Sequence, residues 1–104
     1  MKIDYYPLGS VVLLKGGIRK ILIVARGINV SNNGQQFFFD YGGVMYPEGM
    51  IGDRLAYFNH ESIAEVVFKG FEDVDNTNMV ANINAYLEEH PETVKGTPEH
   101  WKQS

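Results

Sequence analysis

Through the first two thirds of the chain, apolar residues recur at the two-residue spacing that is typical of β-strands. Residues 11–14, 19–30 and 35–41 form three such stretches, and glycine-containing turns separate them. The last of these turns contains Asn33-Gly34, a pair that favours the left-handed backbone conformations of a type I′ hairpin turn. The sequence therefore predicts antiparallel strands that are joined by tight turns.

Three shorter stretches extend this pattern to residue 69. They cover residues 44–46, 54–58 and 63–69, which gives five to six strands in total. Gly42-Gly43 is interpreted as a turn or a bulge between two strands. Asn59 is a candidate N-cap for a single helical turn that follows it. Strands connected in this way build a meander, and its open face needs a cover.

The spacing of apolar residues changes near the C-terminus. Between Asn78 and His90 they recur every three or four residues, which places them on one face of an α-helix. Pro91 ends this helix, because proline disfavours helical geometry in the residue before it. The candidate N-caps are Asp75, Asn76 and Thr77, and the apolar stripe comprises Met79, Val80, Ile83, Tyr86 and Leu87.

The predicted fold class is therefore α+β: a small antiparallel β-sheet or meander of five to six strands, followed by a C-terminal amphipathic helix. A chain of 104 residues holds one hydrophobic core, so residues 1–90 are expected to form a single domain. Residues 91–104 are expected to form a C-terminal tail. Within it, Thr97-Pro98-Glu99 has the signature of a short helix whose large apolar anchor is Trp101.

Aromatic residues admit two interpretations. Phe37, Phe38 and Phe39 alternate in direction along a strand, so either both faces of the sheet are covered or Phe38 is exposed. Tyrosines at strand ends and turns either fill the core or form a protein-binding surface, and the sequence leaves both readings open. Two rigid turns that carry aromatic side chains are the surface candidates. The residues predicted to bind a partner are Tyr46, Pro47, Glu48, Phe58, Asn59 and His60.

Composition and charge exclude several classes of protein. The chain has no cysteine, which excludes disulfides, thiol nucleophiles and cysteine-based metal sites. Its net charge of −4 argues against nucleic-acid binding, which needs a basic face. The start of the chain lacks the apolar run of a signal peptide, and no stretch is long enough to span a membrane. We therefore expect a cytoplasmic protein with no nucleic-acid or membrane partner.

Charge is also unevenly distributed. Residues 71–104 hold two basic and seven acidic side chains, for a net charge of −5. This segment is interpreted either as an ordinary solvated surface or as an acidic surface that suits a basic partner.

The candidate catalytic groups are sparse. No two of the three histidines have the spacing of metal ligands, and no phosphate-binding glycine motif or serine elbow is present. His60-Glu61 is a candidate general base with an orienting carboxylate, and Asp40, Glu48 and Asp53 are candidate oxygen ligands for a divalent cation. The non-functional alternatives are that His60 is an ordinary turn residue and that the three acids are solvated, and we favour these. The prediction is thus a non-enzymatic protein with no catalytic residue, metal or cofactor.

An ordered set of short motifs carries a resemblance to a known family. They are residues 7–17 (PLGSVVLLKGG), Asp40-Tyr41, residues 46–49 (YPEG), residues 58–63 (FNHESI) and residues 66–71 (VVFKGF). In order and spacing, the chain resembles the small bacterial family called domain of unknown function 4176. The resemblance covers residues 7 to about 72.

This resemblance implies a functional setting. Members of the family occur mainly in Gram-positive bacteria, beside type VII secretion genes and LXG toxins. It therefore implies an accessory protein that binds a protein partner. The expected partner is an LXG toxin, for which this protein would be a targeting factor or chaperone, or a neighbouring secretion accessory protein. The alternative is an immunity protein that neutralises a cognate toxin domain, a role that suits a small acidic protein. The family supplies no catalytic residues, and the sequence leaves the oligomeric state open.

Overall fold

The computed structural model of the chain describes residues 2–97. They form a five-stranded antiparallel β-sheet, one turn of 3₁₀ helix and one α-helix, which confirms the predicted α+β class. The strands lie side by side in the order β4-β3-β2-β1-β5. The elements are β1 Val11–Leu14, β2 Lys20–Asn32, β3 Gln35–Met45, β4 Ala56–Phe58, the 3₁₀ turn His60–Ser62, β5 Ile63–Phe68 and α1 Val74–Glu89.

The hairpin between β2 and β3 has the predicted turn. Asn33 and Gly34 have φ angles of 54° and 80°, so both residues take the left-handed conformation that a type I′ turn requires. This turn matches the twist of the two long strands that it joins, and it sets their register.

Gly42-Gly43 does not form a turn, but it lies opposite a β-bulge, because the two glycines pair with Ala25 and Ile23 on either side of a register shift. Both glycines lie inside β3, which continues without interruption to Met45. A Cβ atom on Gly43 would lie 2.7 Å from the carbonyl oxygen of Leu22, so this position needs glycine because β2 approaches closely. The irregularity in this hairpin lies on β2, where the register shifts between Ile23 and Ala25.

One face of the sheet forms the main core. Direct cross-strand pairing connects Val66, Val12, Ile21 and Met45 in a row, and paired residues share a face. Helix α1 packs on this face, and its Ile83 is buried in the same cluster. The N-terminal segment contributes Tyr5 to this cluster, and Ile3 and Tyr6 pack against it. The buried cluster comprises Tyr5, Val12, Ile21, Ile23, Phe38, Tyr41, Ala56, Phe58 and Ile83.

The three consecutive phenylalanines are all buried, so both faces of β3 are covered in that region. Phe38 belongs to the main core, whereas Phe39 packs against Tyr57 on β4. Phe38 and Tyr41 join the same cluster although residues three apart in a regular strand point to opposite faces. This break in alternation falls between the pairs Arg26–Tyr41 and Ile28–Phe39, where β3 has Asp40 and β2 has Gly27 with its positive φ of 62°.

The helix begins earlier than predicted, at Val74 rather than Asn78. Its N-cap is Asp73, whose side chain accepts a hydrogen bond of 3.1 Å from the backbone N–H of Asn76. The predicted N-caps at residues 75–77 are therefore wrong, because these residues form the first helical turn. The helix ends at Glu89, just before Pro91 as expected. Among residues 2–97, no helix has both the length and the apolar content that crossing a bilayer requires.

Residues 93–96 lie along the outer edge of β3. The backbone N–H of Phe38 donates to the carbonyl of Val94, and the N–H of Gly96 donates to the carbonyl of Phe38, both at 2.8 Å. The first part of the predicted C-terminal tail therefore extends the sheet. The predicted short helix that starts at Pro98, together with Trp101, falls outside the described residues.

Candidate functional site

The first predicted turn lies on the surface. Tyr46, Pro47 and Glu48 are exposed where β3 ends, and the Tyr46–Pro47 peptide bond is cis. Arg19 holds this turn, since its guanidinium donates to the carbonyl of Tyr46 and forms an ion pair with Glu48. The turn is thus exposed and fixed in place.

The second predicted turn is mostly interior. Phe58 is 4% exposed and Asn59 is 6% exposed, because β4 pairs Phe58 directly with Tyr41 inside the core. His60 is half-buried. The expectation of an exposed aromatic turn at residues 58–60 is therefore wrong for Phe58 and Asn59. Their contact with a partner stays a prediction.

The structure does not bring the two predicted turns together. Phe58 pairs with Tyr41 on β3, and Tyr46 follows Tyr41 by five residues, just after β3 ends. At about 3.4 Å per residue, these positions are roughly 17 Å apart. The six predicted residues therefore belong to two separate places, and each must be considered by itself.

The interior place is organised around the buried carboxylate of Asp40. Oδ1 accepts hydrogen bonds from the Tyr5 hydroxyl at 2.9 Å and from Lys95 Nζ at 2.8 Å. Oδ2 accepts from the backbone N–H of His60 at 2.9 Å. A buried carboxylate is stable only when such donors replace water. Asp40 thus joins the N-terminal segment, the sheet and the C-terminal segment.

Asn59 fills a gap along the edge of β3. β4 pairs with residues 41–43 of β3 and the C-terminal segment pairs with Phe38, which leaves the backbone of Asp40 between them. The Asn59 side chain accepts from the Asp40 N–H at 3.0 Å and donates to the Gly96 carbonyl at 2.8 Å. It therefore substitutes for a missing strand residue rather than capping the 3₁₀ turn, for which it makes no side-chain hydrogen bond.

His60 is held by aromatic neighbours. Its Nδ1 is hydrogen-bonded to the Tyr41 hydroxyl at 2.7 Å, and its ring stacks on Tyr6 with 5.0 Å between the centroids. The Tyr41 hydroxyl also accepts from the backbone N–H of Tyr6 at 2.9 Å. Glu61, the proposed orienting carboxylate, is exposed. The hydrogen bond that orients the imidazole thus comes from Tyr41.

Burial governs the electrostatics of this cluster. Desolvation, reinforced by the negative charge of Asp40, raises the pKa of Tyr5 far above its usual value. Desolvation likewise raises the pKa of Tyr41 strongly, although its hydrogen bond from the Tyr6 backbone acts in the opposite direction. Both phenols are therefore held in the neutral form, in which each can donate a hydrogen bond.

Arg26 forms a second link between layers. Its guanidinium donates to Asn76 Oδ1 in the first turn of α1 at 2.7 Å, and burial lowers its pKa. This contact joins β2 to the helix start. Arg26 Nε is buried without a hydrogen-bond partner among the described residues. The hydrogen bonds of Asp40, Asn59 and Tyr41 fasten segments of the chain to one another.

The three candidate oxygen ligands do not converge. Asp40 is buried and bound to Lys95, Glu48 pairs with Arg19 on the surface, and Asp53 is exposed in a loop. Within residues 2–97, no three His, Asp or Glu side chains are arranged as a metal site.

The surface place is larger than the sequence indicated. The loop that contains Tyr46 continues through Met50 and Ile51, which are both exposed, and adjoins the β1–β2 turn through Arg19. In that turn, Ile18 is 93% exposed. We name this group the loop-end patch. It consists of Ile18, Tyr46, Pro47, Met50 and Ile51.

Sequence reasoning missed Ile18, Met50 and Ile51 as surface candidates. Each is a large aliphatic residue next to or near a glycine-containing turn, at Gly17, Gly49 or Gly52. Apolar residues inside a turn cannot follow the strand alternation that buries their neighbours, so this placement is a usable signal of exposure.

The fold and the site define a small α+β domain with a fixed, apolar surface loop. The chain belongs to the family described as Domain of unknown function (DUF4176), whose sequence profile matches residues 5–79. The match includes all five strands and the first turn of α1. No curated protein and no solved structure matches the chain.

Proposed function

We propose that this protein is a non-catalytic accessory protein that binds a protein partner through the loop-end patch. The observation that carries the proposal is the exposure of Ile18, Tyr46, Met50 and Ile51 on two adjoining loops at one end of the sheet. Exposed apolar groups of this size cost free energy in water, and a partner surface that covers them recovers it.

Rigidity supports this proposal. The Arg19–Glu48 ion pair ties the two loops together, and the Gly49 N–H donates to the Met45 carbonyl at 2.7 Å. A surface that is already ordered loses little conformational entropy when a partner binds. Tyrosine flanked by aliphatic side chains also has the composition of a binding hot spot.

A binding role agrees with the contacts of His60, the residue considered as a candidate general base. The Nδ1 atom of His60 is engaged by Tyr41, and its ring is stacked on Tyr6, so these contacts account for the position of the imidazole without a substrate. We therefore assign His60 to the folding of the domain.

The partner that we propose is an LXG toxin, which this protein would hold as a chaperone or targeting factor in the cytoplasm before export by type VII secretion. Membership of the family is the basis for this choice, through the genetic neighbourhood that the resemblance implies. The loop-end patch is made of apolar side chains with Arg19 and Lys20 beside Tyr46. The net charge of the chain, −4, agrees with a protein ligand instead of a nucleic acid.

An immunity protein is the second candidate function. The helix supports it, because α1 exposes Asp75, Glu88 and Glu89 and follows the acidic residues Glu72 and Asp73. Such a surface would attract a basic toxin domain by charge complementarity. This candidate uses the helix rather than the loop-end patch, so variants separate the two functions.

The test is an affinity capture from the native host, with the protein as bait and mass spectrometry as the readout. A triple variant, Ile18→Ser with Met50→Ser and Ile51→Ser, is compared with the control Val74→Ser on the exposed start of α1. We expect the wild type and the control to retain the N-terminal region of an LXG toxin, and the triple variant to lose it. Capture of the toxic C-terminal domain would support the immunity function, and capture of no toxin-locus protein would refute both.

A further inference from the structure

The face of the sheet opposite α1 has a side-chain pattern that the pairing registers define. Val12 is completely buried in the main core, so its neighbours Val11 and Leu13 point to the other face. Residues that pair directly across two strands share a face. The pairing partners of Val11 and Leu13 therefore lie on this other face as well.

Two rows of three residues result. Val11 pairs with Leu22 on β2 and, across a register shift between Val11 and Val12, with Phe68 on β5. Leu13 pairs with Lys20 on β2 and with Glu65 on β5. Phe68 is 62% exposed, and Lys20 and Glu65 are exposed too. We name these six residues the open face: Val11, Leu13, Lys20, Leu22, Glu65 and Phe68.

The open face is symmetric in a particular way. β2 and β5 flank β1 at equal distances of about 4.8 Å, with Lys20 on one side of Leu13 and Glu65 on the other. A two-fold axis that runs along β1, midway between two stacked sheets, exchanges the positions of β2 and β5. It therefore places Lys20 of one copy over Glu65 of the other, and Leu22 over Phe68.

We propose that the open face binds a second copy of this chain, in a sheet-on-sheet dimer whose two-fold axis runs along β1. Sheets packed in this aligned manner lie about 10 Å apart, which lysine and glutamate side chains span together. Val11 and Leu13 meet their own counterparts at the centre, and two Lys20–Glu65 ion pairs flank them.

The pattern of charge selects a second copy over an unrelated partner. A single basic and a single acidic residue, placed symmetrically about an apolar centre line, complement themselves under the two-fold axis. A face three strands wide is smaller than the interface of an obligate dimer, so the association is reversible. The open face adjoins the loop-end patch at Lys20, whose ammonium lies 6.0 Å from the centre of the Tyr46 ring. The dimer goes beyond the proposed function.

The test is a charge-swap series, measured by sedimentation velocity over a dilution series of the full chain. The variants are Lys20→Glu, Glu65→Lys and the double swap. The matched controls, Lys2→Glu and Glu88→Lys, make the same charge changes at exposed positions in the N-terminal segment and on α1, away from the open face. All of these positions are on the surface, so circular dichroism is expected to show an unchanged fold.

We expect the wild type to form a dimer of twice 11.7 kDa. Each single swap makes both ion pairs repulsive and weakens dimerisation by about tenfold or more, whereas the double swap restores it and the controls leave it unchanged. The proposal is overturned if the wild type stays monomeric at every concentration. It is also overturned if the single swaps leave the dimer affinity unchanged, or if the double swap dimerises more weakly than either single variant.

Discussion

The completely buried carboxylate of Asp40 accepts a hydrogen bond of 2.8 Å from Nζ of Lys95, a residue 55 positions later in the chain. Lys95 lies on the segment that pairs with the outer edge of β3. This ion pair therefore fastens the C-terminal segment to the sheet at the point where Tyr5 fastens the N-terminal segment.

Removing Lys95 is expected to destabilise the protein. In the variant Lys95→Met, the Asp40 carboxylate stays buried and keeps the Tyr5 hydroxyl and the His60 N–H as donors. Because the Lys95 ammonium is partly solvated, we expect a loss of about 2–3 kcal/mol rather than the full cost of breaking a completely buried pair. Urea denaturation measures it. The control Lys69→Met breaks the exposed pair with Glu72 and is expected to cost about 0.5 kcal/mol.

The N-cap of α1 gives a prediction with a matched control. Asp73→Ala removes the side chain that accepts from the Asn76 N–H and is expected to cost about 1 kcal/mol. Asp75→Ala, in the first turn, removes a charge near the helix N-terminus and is expected to cost a few tenths of a kcal/mol, about 0.3. Equal losses in thermal denaturation of the two variants would contradict the assignment of Asp73 as the cap.

Phe58 and Tyr46 are expected to respond in opposite ways to truncation. Phe58→Ala opens a cavity in the core and is expected to cost about 3–5 kcal/mol of stability. Tyr46→Ala alters an exposed side chain and is expected to cost about 0.5 kcal/mol or less, yet to weaken capture of the partner. Denaturation curves and the affinity capture together check both expectations. A Tyr46→Ala variant that binds as the wild type does would remove Tyr46 from the binding surface.

Asn59 is also expected to matter for stability. Asn59→Ala leaves the Asp40 N–H and the Gly96 carbonyl without their side-chain partner. Two such groups in a buried place are expected to cost about 1–3 kcal/mol. Hydrogen exchange of the Gly96 amide, which donates to Phe38, is expected to accelerate in this variant because the C-terminal segment is less firmly held.

High pH is expected to unfold the protein through its buried tyrosines. The pKa values of Tyr5 and Tyr41 are raised in the folded state, whereas an unfolded tyrosine ionises near pH 10. Their contribution to stability is therefore complete below about pH 10 and is lost as pH rises above it, because the unfolded chain releases protons that the folded chain retains.

Absorbance of tyrosinate against pH checks this expectation. Two of the six tyrosines are expected to ionise only when the circular dichroism signal of the fold is lost. In Tyr5→Phe and Tyr41→Phe, the absorbance change that accompanies unfolding is expected to be smaller. Complete titration of all tyrosines in a chain that is still folded would show that these two phenols are not buried.

The local elements of the fold were predictable because their signals are local. Asn33-Gly34 defines its hairpin through the conformations that these two residues tolerate, and Pro91 limits the helix through its own ring. The helix start was misplaced because several acidic and polar residues precede it, and only the structure shows which side chain reaches a free N–H.

The candidate site was less predictable. The exposed turn at Tyr46 was found from its proline and glycine, which are local signals. Phe58 and Asn59 have a similar appearance in the sequence, but β4 pairs them against β3 and buries them. The burial of Asp40 was not predictable, because its partners Lys95 and Tyr5 are distant from it in the sequence.

By itself, the sequence determined the α+β class, the hairpins and the presence of the helix, because side-chain periodicity and turn chemistry act over a few residues. Of the predicted apolar stripe, Val80, Ile83 and Leu87 face the core, whereas Met79 and Tyr86 are exposed.

Only the tertiary structure decided that β1 lies between β2 and β5, which places Lys20 and Glu65 on either side of Leu13. It alone also brought Asp40 and Lys95 together. Both arrangements depend on which strands and segments become neighbours, and that choice is made by packing the whole chain around one core.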